Sequence, residues 1–135
     1  MTDAQAQQLN VIFAELASRC DTDGYTFATD VDLDRWSRLL DMPWLEALNR
    51  IGVELAQRYR RGVVDYHFGD SLANDLWGEM ITRHQQIPDG QWPAQFDEVY
   101  QAFDAGEFRR EKDGDADPVK LYTDPAIAEF LAKLA

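Results

Sequence analysis

The sequence predicts a mainly α-helical fold, a compact bundle of about six helices forming one domain over residues 1–135. Three observations predict it. Apolar residues recur at three- and four-residue spacing in one segment after another, as the buried stripe of an amphipathic helix requires. Proline, glycine and Asp-Gly steps fall between those segments, where helices stop and start. The chain is 45% hydrophobic and 12% aromatic, with four Trp, five Tyr and seven Phe, which is enough to fill a core despite a net charge of −12.

The first helix is expected from Asp3 to Cys20, with Leu9, Ile12, Phe13, Leu16 and Cys20 on one stripe. Asp23-Gly24 then signals a turn, and Tyr25 and Phe27 alternate with polar residues, which allows a very short strand around 25–27. A short helix after Asp32 carries Trp36, Leu39 and Leu40 and ends at the corner before Pro43. Pro43 is suited to open the third helix, whose Trp44, Leu48, Ile51, Leu55 and Tyr59 mark a buried face and whose stop is Gly62. Alternation of Val64, Tyr66 and Phe68 with Asp65 and His67 suggests a second extended stretch over 63–68, followed by Asp70 as the cap of a fourth helix containing Leu72, Leu76, Trp77, Met80 and Ile81. The fifth helix begins near Pro93, bears Phe96, Val99, Tyr100 and Phe103, and stops at Gly106. Asp113-Gly114 is a candidate turn of a small hairpin with a strand around 119–122, and Asp124 with Pro125 opens the sixth helix, with Ile127, Phe130, Leu131 and Leu134 apolar.

Charge is distributed in blocks. Residues 1–34 hold seven acids and one base, and residues 62–108 hold nine acids and one base. Residues 35–61 hold three acids and six bases, most of them explained by pairs such as Glu46–Arg50 and Glu54–Arg58 and by arginines at a helix C-terminus. A negative field repels phosphate backbones and disfavours direct nucleic-acid binding, while it steers a basic protein toward the surface. The plainer account of such acidity is solubility.

The N-terminal segment has no basic region followed by an apolar one, no apolar run approaches a membrane span, and the single cysteine, Cys20, allows no internal disulfide. These features lead to the expectation of a cytoplasmic protein with no membrane contact.

Candidate chemistry is sparse. Phosphate-loop, dinucleotide, Gly-x-Ser-x-Gly and His-Glu-x-x-His motifs are all missing, as are paired cysteines, and no cofactor is expected. Asp113, Asp115 and Asp117 match the first alternating ligands of a calcium loop with Asp124 at its last position, but Pro118 stands where the turn glycine belongs and Asp124 is short for a bidentate ligand. The acids Asp21, Asp23, Asp30, Asp32 and Asp34 fit no such spacing. The run from Asp65 to Asp75 has the densest mixture of His, carboxylate and amide, so His67 with Asp65, Asp70 or Asp75 is the candidate set for a metal-assisted hydrolase, although no second His lies nearby. Asp104 and Glu107 flank Gly106 between aromatics, a junction suited to recognition.

The leading expectation is therefore a small acidic protein that acts by contact, such as an immunity or antitoxin-like inhibitor of a basic protein. Tyr25, Tyr66, Asp65, Asp104, Glu107 and Tyr122 are its candidate binding residues, with Trp92 a further aromatic anchor. The hydrolase is the alternative, and a structural subunit of a larger assembly is a third.

Overall fold

The computed structural model describes residues 1–20 and 24–135, so the Asp21 and Asp23 readings lie outside the described residues. Six α-helices are present among them: α1 (Asp3–Arg19), α2 (Asp30–Leu40), α3 (Trp44–Arg60), α4 (Tyr66–Thr82), α5 (Ala94–Asp104) and α6 (Asp124–Leu134). Short 3₁₀ turns at His84–Gln86 and Glu111–Asp113 and a π turn at Val119–Thr123 complete the chain. Helix α3 is the hub, packing against α2, α4, α5 and α6, while α1 lies on α2. No described helix is long and apolar enough to cross a membrane.

The mainly helical fold follows the periodicity closely. Leu9, Ile12, Phe13 and Leu16 are buried on α1, and Leu48, Ile51 and Leu55 on α3. Trp36, Phe96 and Phe103 are the largest fully buried side chains. Helix α3 ends as its glycine predicts. Gly62 has φ +76°, its N–H donates to the Tyr59 carbonyl and that of Val63 to Arg58, the bond pattern of a Schellman stop. A second glycine sets an interhelical distance. A Cβ on Gly69 would sit well inside contact distance of the Phe103 ring, so α4 approaches α5 this closely only because the side chain is missing.

The three expected extended stretches are corrected. Val63–Phe68 contains a turn and the start of α4, because the Asp65 carboxylate accepts the Phe68 N–H at 2.8 Å and caps the helix. What looked like two-residue alternation is also four-residue spacing: Val64 packs against the core, and Phe68, Leu72 and Leu76 are buried in it. Asp70, expected as the cap, thus lies one turn inside α4. Residues 119–122 belong to the π turn that runs directly into α6, so Asp124 is not a cap and no hairpin forms. The Asp117 side chain accepts the Val119 N–H at 2.9 Å, and the buried Thr123 hydroxyl donates to the Ala102 carbonyl at 2.7 Å, which ties this turn to α5. The 24–29 segment is neither helix nor strand, and its backbone bonds to side chains of α4 instead.

Helix α2 also begins earlier than expected. Thr29 is its cap, and Asp32 completes a reciprocal capping box from the third helical position.

Candidate functional site

Helix α4 positions the candidate residues on two adjoining stripes. Along one, Tyr66, Asp70 and Asn74 follow four-residue spacing toward the end of α5; along the other, His67, Ser71 and Asp75 turn toward the 24–29 segment.

The first stripe builds an acidic cluster. Asp70 lies beside Glu107 and within electrostatic range of Asp104. Asn74 Nδ2 donates to Glu107 Oε2 at 2.8 Å and to the Asp70 carbonyl at 2.9 Å. Asp70 Oδ1 is out of solvent and receives no hydrogen bond. Two ionised carboxylates offer each other only lone pairs, so contact between them becomes a hydrogen bond only when one keeps a proton. Burial first, and then Glu107 and Asp104, push the Asp70 carboxyl up to about 7. Tyr66 donates its hydroxyl to the Phe103 carbonyl at 2.7 Å, so it does not relieve the cluster. Burial and the same three carboxylates hold the Tyr66 phenol well above its ordinary range, and burial together with nearby acids raises that of Tyr100. Among the described residues, Asp70, Asp104 and Glu107 make no ion pair.

Acids elsewhere are differently treated. Arg19 grips both oxygens of Asp32 at 2.6 and 2.7 Å and also meets Glu15 at 2.6 Å. Arg35 closes the group by bonding Glu15 and, at 3.2 Å, Asp32. These four side chains clasp α1 to α2. The Arg19 guanidinium, helped by the Thr29 N–H, holds Asp32 down to about 2. Asp34 pairs with Arg83 at 2.9 Å, Glu54 with Arg58 at 2.7 Å and Glu98 with Lys133 at 2.7 Å. Glu46 and Arg50, expected to pair, make no ion pair among the described residues.

The second stripe holds an exposed aromatic loop. Asp75 Oδ2 accepts the Thr26 hydroxyl at 2.6 Å and the Ala28 N–H at 2.8 Å, and Ser71 Oγ accepts the Thr26 N–H at 3.0 Å. Thr26 is fully buried. Phe27, between two anchored neighbours, has φ +47°. A bulky residue in that left-handed region carries strain of order 1–3 kcal/mol. Phe27 is nevertheless 66% exposed, and its ring lies 5.7 Å from that of Tyr25, a residue 47% exposed whose ring meets His67 edge-on at 4.8 Å.

The four residues of the hydrolase set are thus engaged separately. Asp65 caps α4, Asp75 anchors the 24–29 segment, Asp70 faces Glu107, and His67 packs on Tyr25. The calcium-loop acids also have separate partners. Asp113 accepts the Tyr122 hydroxyl, Asp117 the Val119 N–H, and Asp124 the Tyr59 hydroxyl at 2.5 Å, while Asp115 offers its carbonyl to Arg109 at 2.8 Å. Among the described residues no group of three or more His, Cys, Asp and Glu side chains is placed to hold a metal ion.

Of the candidate binding residues, Tyr66, Asp104 and Glu107 come together around Asp70, and Tyr25 stands on the neighbouring stripe. Tyr122 is instead covered by the Arg110 guanidinium at 3.7 Å, and the Trp92 indole donates to Asp97 at 2.8 Å. The amide of the Asp65–Asp75 run, Asn74, joins the cluster as its four-residue step from Asp70 implies, whereas sequence reasoning missed Phe27 as an exposed anchor. The display of Phe27 depends on a contact between residues 26 and 75 that no local pattern marks. No family model, curated protein or solved structure matches the chain.

Proposed function

We propose that this is a small cytoplasmic binding protein that covers a basic surface on a protein partner, in the manner of an immunity protein or antitoxin. One observation carries the reading. Glu15, Asp32, Asp34 and Glu54 on α1, α2 and α3 are matched by arginines of the same chain, whereas Asp70, Asp104 and Glu107 are gathered without a counter-charge, and Asp70 is partly desolvated. A lysine or arginine from a partner would ionise Asp70 fully and supply the missing donors, so binding recovers a cost that the free protein bears. The overall charge of −12 adds long-range attraction and fast encounter. The metal-assisted hydrolase draws no support from side chains that are each engaged elsewhere.

The test is a pull-down from native lysate with the wild-type chain and an Asp104→Asn/Glu107→Gln double variant as baits. A basic protein should be retained by the wild type at low salt, released at high salt, and retained poorly by the variant. Equal retention by both baits, or recovery of no basic protein at any salt concentration, overturns the reading.

A further inference from the structure

We propose that residues 24–29 form a preorganised recognition loop whose Tyr25 and Phe27 rings hold a lysine or arginine side chain of the basic partner. The inference rests on the acidic-binding reading above and adds where the partner is gripped.

The loop is held open by the fold. One Asp75 oxygen bonds residues on both sides of Phe27, and Ser71 adds a third bond to Thr26. These bonds impose the left-handed backbone at Phe27, a conformation that a phenylalanine adopts only when its surroundings over-determine it. The strain is not repaid by burial, because the Phe27 ring is largely in solvent. Tyr25 is set against His67, and Gly24 passes so close to that ring that a Cβ there would lie 2.6 Å from His67 Cδ2. An aromatic pair that is rigid, exposed and costly to display is the arrangement expected of an interface anchor.

The charges around the loop select the occupant. On one side, α4 leads from His67 to Asp70 and its neighbours Glu107 and Asp104. On the other, Asp75 bonds the loop from beneath and Asp30 opens α2 directly after it. Asp75 and Asp30 therefore bring one carboxylate from each acidic block to the base of the loop or next to it along the chain. Aromatic faces attract cations, most strongly where carboxylates nearby complete the site. A second copy of this chain is a poor occupant, since two like acidic faces repel.

The experiment uses a fluorescein-labelled nona-arginine peptide, with anisotropy titrations of the intact wild type and three variants. Phe27→Gly removes the ring and fits the positive φ, so it should fold with a melting temperature no lower than wild type and bind about tenfold more weakly. Tyr25→Leu keeps apolar bulk without a ring and should weaken binding by about threefold or more. Asp104→Asn/Glu107→Gln reports the acidic contribution separately. If Phe27→Gly and Tyr25→Leu bind like wild type while the acidic double variant loses affinity, the loop inference fails and the acidic-binding reading stands. If the wild type binds no peptide at low salt, both fall. Concentration-dependent dimerisation of the wild type that Phe27→Gly abolishes would make a second copy the occupant and would also overturn the proposal.

Discussion

Asp70 concentrates the cost of the acidic surface in one side chain. Its carboxyl is pushed up to about 7 from an ordinary 3.8, chiefly by burial and then by Glu107. A carboxyl raised by folding favours the folded state below its unfolded value, and that support is lost as pH climbs through the folded one. Asp70→Asn is isosteric, carries no charge and can donate toward Glu107. It should therefore stabilise the protein by about 1–2 kcal/mol above pH 7, with the gain shrinking to nothing near pH 4. Urea melts of both proteins across this range measure the difference; a constant offset at all pH values would mean that packing, not ionisation, distinguishes them. Phe27 is a second residue that does not serve the fold. Both positions trade stability for surface properties, as sites of contact commonly do.

Helix pairing uses charge in the opposite sense. The Glu15–Arg19–Asp32–Arg35 group joins α1 to α2, and here every acid has a guanidinium. Asp32 is well shielded, and Arg19 holds its carboxyl down to about 2. A depressed acid stabilises the fold above its unfolded value and loses that contribution as pH falls through the folded one, so the window runs from pH 3.8 down to about 2. Asp32→Asn keeps a side-chain oxygen for the Thr29 cap but breaks the ion pairs. It should cost on the order of 2 kcal/mol at neutral pH, with the two proteins converging as pH approaches 2. Chemical denaturation followed by circular dichroism gives both numbers. Persistence of the full gap at pH 2 would show that the clasp acts through shape alone.

Across the whole molecule, repulsion is the unbalanced term. With 25 acids and 13 bases, the folded state concentrates like charge that the unfolded chain spreads out. Added monovalent salt screens that repulsion over roughly 10 Å at about 0.1 M, so the melting temperature should rise with salt through this range. A scanning-calorimetry series in sodium chloride tests it, and a falling melting temperature would mean that the ion-paired clasps outweigh the general repulsion. The same screening weakens association with a basic partner. Salt is thus expected to move stability and binding in opposite directions.

Helix number, helix order and core were legible in the sequence because they rest on local periodicity. Stripes such as Leu9, Ile12, Phe13 and Leu16 can be satisfied only by burying one helical face, and prolines and glycines limit where helices run. Three features were not legible in that periodicity. Asp65 outcompeted Asp70 as a cap because a single hydrogen bond to Phe68 decides where α4 begins. The conformation at Phe27 is imposed by Asp75, far away in sequence. The fate of each acid depends on whether packing brings an arginine to it. The sequence by itself determined a helical protein with a strong acidic surplus, since composition and spacing are properties of the chain. Only the tertiary structure decided which carboxylates are neutralised and which remain without a counter-charge, because Coulomb interactions and hydrogen bonds depend on distances that arise only when the helices pack.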